Sequence, residues 1–393
     1  MMQLKTCLVT AAVLGAALAA DACTSWAIHR SVSRSGRMII QKCRDSYRGK
    51  LDADIRTAPN GWRWMRIGSN QHYPNFGMNE KGVAITMNDG DSTDIKHPGK
   101  GRIGMAASLT IRYVSTHCAT AAEAVEFLKC VGRSGWKLGS NASYFVADPD
   151  RAFLVDLAHG YAEVKEITGG IAIITNTWHL PGGEEISTKN LGYGRGDRAR
   201  EANVRAALRK ERVKGKYTVR GCMDVSRMFC GKKFEEKFPF RVGKGGGNSL
   251  GASCFELDKE FPAFLSYAYI ALGPQQDTIF LPVPMSLDQL PEKLRDGSWA
   301  KMAYDILDNA GINHPAIAEF TKLEDKFLAE VETLRPQAKE LLKAGKCDEA
   351  AKMLNECFKR QFAEADALLT RVHGEALAKG GKKAEAPAAK ADK

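Results

Sequence analysis

The feature that most constrains this chain is its only uninterrupted apolar stretch, residues 8–20, together with what stands behind it. The stretch is shorter than the ~20 residues a membrane-spanning helix needs. Lys5 supplies a positive n-region, the run an apolar core, and Ala20-Asp21-Ala22 a small-x-small cleavage site, which is the layout of a secretion signal. A buried amphipathic helix would show polar periodicity, and this run has none. Cleavage after Ala22 removes 22 of 393 residues, leaves 371, and makes Cys23 the first residue of the mature chain. A lipoprotein signal also ends at a cysteine, but it wants a bulky aliphatic residue and then a small neutral one where Ala20 and Asp21 stand. The expectation is a secreted or periplasmic protein without a lipid anchor or an integral membrane span.

Hydrophobic residues at 44% and charged residues at 26% belong to an ordinary soluble globular protein. The net charge of +11 survives processing, because Lys5 and Asp21 cancel. The basic residues are spread along the chain without a nucleic-acid motif, so a solvated basic surface is expected and no nucleic-acid partner. Ten cysteines less Cys7 leave nine, an odd count with at least one thiol lacking an intramolecular partner. Up to four disulfides would follow in an oxidising compartment, their connectivity open, with Cys23 as the odd one. No CxxC or HExxH occurs and the eight histidines are scattered, so neither a metal nor another cofactor is expected. No oligomeric state can be read from the chain.

Alternating apolar and polar residues predict strands over 24–29, 37–43, 82–88, 142–147, 152–157, 162–166, 171–175 and 277–282. Thr120 with Glu123 forms a capping box for a helix to about residue 130, and a second helix is expected over 197–211. Beyond Trp299 the pattern turns helical: Ala318, Leu323, Phe327, Val331 and Leu334 share a face, with a break near Pro336, and another helix covers 347–377. Within that helix a Cys347–Cys357 bridge is excluded, since ten residues rise ~15 Å. The organisation expected is a signal at 1–22, a strand-rich α+β body at 23–300, a helical extension at 301–378 and a mobile basic tail at 379–393.

An N-terminal cysteine carries its own base. The thiol, with a free pKa of ~8.5, needs a proton acceptor, and the adjacent α-amine, pKa ~7.7–8.0, is partly neutral near pH 7. Nucleophile and base then share one residue, and signal cleavage activates both. The competing reading of Cys23 is a disulfide partner.

The residues that follow bear on this choice. Cys23-Thr24-Ser25-Trp26 opens a strand, and a turn at Ser35-Gly36 returns the chain toward Lys42-Cys43-Arg44-Asp45. This resembles the N-terminal-nucleophile (Ntn) hydrolases of the linear amide group: choloylglycine hydrolases, penicillin V acylases, acid ceramidase and isopenicillin-N acyltransferases. Their mature chains begin Cys-Thr or similar, with Arg-x-x-Asp on the second hairpin strand. Asp45 matches the aspartate, whereas Lys42 stands where arginine is usual, keeping the charge and losing the bidentate fork. Arg44 substitutes only if the register shifts. Asn75-Phe76-Gly77-Met78-Asn79-Glu80-Lys81-Gly82 resembles a family turn feeding a strand that ends in an oxyanion-stabilising residue, which the resemblance places at Asn88. Thr175-Asn176 before Pro181-Gly182 resembles the segment whose asparagine contacts the cysteine amine, so Asn176 inherits that role, with Trp178 and His179 at the pocket mouth. The stretch from Asn248 to Val283 is similar to secreted cysteine dipeptidases, and the family's late arginine has no counterpart there.

The resemblance implies a four-layer αββα sandwich and attack by Cys23 on a linear amide, giving a thioester that water or an acceptor amine resolves. Lys42, Asp45, Asn88 and Asn176 are its supporting residues. The substrate is a small acyl-amide or a dipeptide. A reading of another class is a disulfide-braced secreted binding protein, which predicts all nine cysteines blocked.

Overall fold

A computed structural model describes residues 23–46, 50–70, 73–89, 106–133, 142–158, 160–183, 194–231, 236–242 and 248–384. The expected signal at 1–22 and the end of the expected tail lie outside these residues.

The strands are β1 Thr24–Ile28, β2 Met38–Ser46, β3 Asp52–Thr57, β4 Arg63–Asn70, β5 Tyr73–Asn79, β6 Ala84–Asp89, β7 Ala142–Ala147, β8 Ala152–Ala158, β9 Tyr161–Glu166, β10 Ile171–Ile174, β11 Asn248–Leu257, β12 Tyr267–Leu272 and β13 Leu281–Pro284. They form two antiparallel sheets, one ordered β10-β1-β2-β11-β12-β13 and the other a meander from β3 to β9. Alternation of side chains decides the layering. Ala27, Met38, Ile40, Phe255 and Ile270 of the first sheet meet Met65, Phe76, Met78, Phe145 and Leu154 of the second in one core between the sheets. The other face of the first sheet, with Trp26, Ile28, Ile39, Cys254 and Tyr269, packs on α3 (Gly194–Lys210) and α4 (Val219–Arg227). The other face of the second, with Ile85, Tyr144, Val146 and Val155, packs on α1 (Ala107–His117) and α2 (Ala121–Arg133). The result is the expected αββα arrangement. Glu123 N–H donates to Thr120 Oγ1 at 3.2 Å, which is the Thr120 half of the expected capping box, while the Glu123 carboxylate accepts from the Ala119 N–H at 2.6 Å, one residue earlier than the box requires.

The last helices, α5 (Ser298–Ala310), α6 (Ala316–Lys343) and α7 (Cys347–Ala384), close the side of the sandwich. Trp299, Phe320, Phe327, Phe358 and Leu369 join the core between the sheets, while Val331, Ala338 and Leu342 join the outer face of the first sheet. Three expectations are corrected here. The helix expected to break near Pro336 continues through it, because burial of Val331, Arg335, Ala338 and Leu342 on both sides outweighs one lost backbone bond. The helix expected to end at 377 runs to Ala384, past the expected start of the tail. Gly380 permits this by approaching Asn309 of α5 more closely than a Cβ would allow. Finally, all nine described cysteines are free thiols, so no expected disulfide forms among them. No described helix is long and apolar enough to cross a membrane.

Candidate active site

β1 and β2 pair with Thr24 opposite Cys43 and Ser25 opposite Lys42, which sets Cys23 against Arg44 one step further on. With a period of two, Lys42 and Arg44 point with Met38 and Ile40 toward the second sheet, as Cys23 does with Ser25 and Ala27. Cys43 and Asp45 point the other way. A bulge in β11 between Ser249 and Gly251 carries this register into the next strand, placing Gly251 opposite Arg44 and Ser249 opposite Asp45. Gly251 has φ +152°, and a Cβ there would sit 2.4 Å from the Ala271 carbonyl oxygen, so only glycine passes.

Cys23 is fully buried. Its nitrogen donates to Asn176 Oδ1 at 2.6 Å, and Arg44 Nη1 donates to its Sγ at 3.2 Å. Arg44 also pairs with Asp89 at 3.7 Å. Asn176 Oδ1 accepts a second bond, from Arg200 Nη2 at 3.1 Å, and Asn176 Nδ2 donates to the Asp89 carbonyl at 2.9 Å. Arg200 rises from α3 and is itself held by Asp197. Both ends of the cysteine are therefore addressed by buried donors or acceptors held from two sheets and a helix.

Lys42 Nζ donates to Asn88 Oδ1 at 2.7 Å and to the Met87 carbonyl at 2.5 Å. Burial pulls its pKa below the ordinary lysine value, with Cys23 pulling it back up and Arg44 pressing it down. Asn88 Oδ1 also accepts from Ser25 Oγ at 2.6 Å. The two N–H groups that an oxyanion would need from Asn88 donate instead to the carbonyls of Ile174 (3.0 Å) and Thr175 (3.2 Å). Asn88 thus ties Lys42 and β1 to the segment that carries Asn176.

Asp45 lies on the opposite face of β2, where Ser249 Oγ donates to its Oδ1 at 2.7 Å. Burial raises its pKa to about 6 against the opposing pull of Arg241 and Ser249. The thiols of Cys43 and Cys254 are pushed far up by burial, which makes both poor nucleophiles. Beside Asn176, Trp178, His179, Leu180, Pro181, Arg198 and Glu201 line a cavity of about 530 Å³. His179 Nε2 meets Glu201 Oε1 at 2.6 Å, and Asp156 Oδ2 accepts from the backbone N–H groups of His179 and Leu180 at 2.7 Å each. That pins the segment after Asn176 to β8.

Of the residues expected from the sequence, Cys23, Lys42, Asn88 and Asn176 come together, and Asp45 stands behind them. Arg44, expected to matter only on a register shift, reaches the sulfur. Arg200 and Asp89 were not foreseen. Strand alternation could have found Arg44, which shares a face with Lys42, whereas no local signal marks Arg200, brought in by α3 from a distant stretch.

Residues 34–239 match the profile of a family described as acyl-coenzyme A:6-aminopenicillanic acid acyl-transferase. Among solved structures, the chain is similar to a mutant of the conjugated bile acid hydrolase from Clostridium perfringens, with 14% identity over 67% of this chain and 92% of that one and a TM-score of 0.44. It is also similar to penicillin V acylase from Agrobacterium tumefaciens, with 16% identity over 67% and 86% and a TM-score of 0.41. A third is an N-acylethanolamine-hydrolyzing acid amidase ortholog from Caenorhabditis elegans, at 12%, 59%, 92% and 0.36 respectively. No curated protein matches the chain by sequence.

Proposed function

This chain belongs to the acyl-coenzyme A:6-aminopenicillanic acid acyl-transferase family, a group of Ntn enzymes, and we propose that Cys23, freed by cleavage after Ala22, cleaves a linear amide by way of a thioester. The observation that carries this reading is the double address of one residue, with Asn176 Oδ1 at 2.6 Å from its nitrogen and Arg44 Nη1 at 3.2 Å from its sulfur.

In the cleaved chain that nitrogen is the α-amine. Asn176 Oδ1 accepts one of its N–H bonds and turns the lone pair toward the thiol. Arg44, Lys42 and Arg200 surround the pair with positive charge, which favours thiolate over thiol and neutral amine over ammonium. The sulfur attacks the amide carbon, a C–S bond forms, and the thiol proton passes to the amine. The Lys42 ammonium meets the developing oxyanion, with Asn88 holding it in place. As the C–N bond breaks, the leaving nitrogen takes the proton back from the Cys23 amine. Water, or an acceptor amine in the acyl-transfer branch that the family description suggests, then gives its proton to the Cys23 amine as it attacks the thioester. The C–S bond breaks and the proton returns to sulfur. Asp45 braces β2 against β11 through Ser249.

The substrate is a small acyl-amide or a short peptide, with Trp178 and Leu180 offering an apolar wall in the cavity that follows Asn176 in the chain, and the enzyme acts after export. One added residue before Cys23 in the processed chain moves the amine by ~3.3–3.6 Å. That variant is expected to fold with an unchanged thermal midpoint and to lose turnover on amide and dipeptide panels. Retained turnover would remove the amine from the mechanism.

A further inference from the structure

A second cavity, of about 590 Å³, lies at the far end of the same hairpin. Its walls come from the β1–β2 turn, the start of α4 and the middle of α6, and its size falls within the ~300–1,000 Å³ usual for small-molecule sites. Arg37 at its edge is seven residues along β2 from Arg44, so at ~3.3 Å per residue the two sites are ~23 Å apart. This cavity is separate from the one beside Asn176.

Its floor is an ion pair between Glu256 and Arg335, both almost completely buried. Arg335 also lies over the Tyr267 ring at 4.6 Å, and Tyr269 Oη donates to Glu256 at 3.3 Å. Burial works to raise the Glu256 pKa, but Arg335 and Arg37 outweigh it and hold the carboxyl below its ordinary range, so the pair is ionised. Arg335 Nε is sealed from the cavity, so a ligand can meet this side chain only through the part of its guanidinium that lines the cavity. At the rim, Arg34 is exposed, and Glu211 and Glu332 supply two carboxylates. The other basic residues of the wall have partners: Arg37 with Asp258, Arg220 with Asp224 and Glu324, and Lys339 with Glu260. Ile39, Leu265 and Leu328 make the wall between floor and rim apolar.

We propose that this cavity binds a small zwitterion with an apolar body, of the apolar α-amino acid class, its carboxylate taken by Arg34 at the rim and by the part of the Arg335 guanidinium that lines the cavity, and its ammonium by Glu332 and Glu211. Such a ligand gives Arg34 and the rim acids partners and covers the apolar wall. A plain organic acid would leave the two glutamates facing it, and a plain amine would leave Arg335 unmet.

The probe is phenylalanine, titrated calorimetrically into processed Cys23→Ala protein, so that binding is read without turnover. Saturable binding at one site is expected. Hydrocinnamate, lacking the amine, and phenethylamine, lacking the carboxylate, are each expected to bind at least ~10-fold more weakly, as a charged hydrogen bond is worth. Glu332→Gln and Arg34→Met, both at exposed positions, and Leu328→Trp, which fills the cavity, are expected to weaken phenylalanine similarly without moving the thermal midpoint. The proposal is overturned by absence of saturation at about 10 mM, by equal affinity for all three compounds, or by well-folded variants that bind as the parent does. The compound series requires no substitution in the cavity, so a misfolded variant leaves the question decided.

Discussion

Glu324 on α6 and Cys23, immediately before β1, each collect buried arginine donors, yet the two clusters are finished differently. The Glu324 carboxylate takes Arg220 Nη1 and Arg227 Nη1 at 2.8 Å, Arg227 Nη2 at 2.5 Å and the Phe280 N–H at 2.7 Å. Burial would raise its pKa, but the two arginines outweigh that and hold it below the ordinary value. Every donor there converges on a charge already present. Around Cys23, Arg44 reaches the sulfur and Arg200 a carboxamide oxygen, each with one carboxylate beside it, Asp89 and Asp197, and the described hydrogen bonds of Lys42 go to neutral oxygens. The first cluster fastens α6 to α4 and has no acceptor capacity left. In the second, the sulfur can become an anion without new donors being brought in, which is what preorganised catalysis requires.

Substitutions that spare one cluster and damage the other test this contrast. The largest effect belongs to Cys23→Ala, expected to lower kcat/KM by on the order of 10⁴-fold or more while the thermal midpoint stays put, as steady-state kinetics and calorimetry together would show. Glu324→Gln should do the reverse, costing about 3–5 kcal/mol of stability in denaturant titration because it leaves buried arginines unpaired. Its kcat per folded molecule should be unchanged, and a matching loss of kcat would mean the two clusters are one unit. Arg44→Met is expected to lower kcat by about 10²–10³-fold with little change in stability. Arg44→Lys should recover only part of that, since the charge returns without the fork.

The smallest effect separates two carboxyls, one behind each cluster. Burial raises both Asp45 and Asp277 from 3.8 to about 6. Since the folded state binds their protons more tightly than the unfolded state, their contribution is complete below about pH 4 and is lost as pH rises through about 6. Each accounts for on the order of 2–3 kcal/mol. Asp277→Asn should therefore flatten the decline in stability between about pH 4 and 6, and Asp45→Asn should flatten it by a similar amount. A wild-type profile that rises over this interval, with no difference in either variant, would contradict the burial of both groups.

How far the chain could be read before folding follows from where the information is local. β7 lies at its expected bounds, and β1, β6, β8, β9 and β10 lie within one or two residues of theirs, because their apolar residues alternate or run without interruption. β3 and β4 were missed, since they read as charged: Asp52 and Arg66 look like solvent-facing residues until they pair with each other inside the fold. β11 and β12 are covered on both faces and carry no alternation to detect. The candidate site was legible where a motif marks a turn or a strand end, as at Asn88 and Asn176. It was obscure where the third dimension decides, as at Arg200 on a helix, whereas Arg44 was within reach of strand alternation, two residues from Lys42 on the same strand. Pro336 was a local signal that tertiary packing overrode.

If one residue supplies both attacker and base, intact-mass analysis of processed protein, quenched during turnover of an activated amide, will find the acyl group at the mature terminus. A chain beginning at Cys23 and carrying the acyl group on that residue is expected, with the adduct disappearing as product accumulates. A chain that turns over while beginning elsewhere, or one whose acyl group is found on another residue, would contradict it.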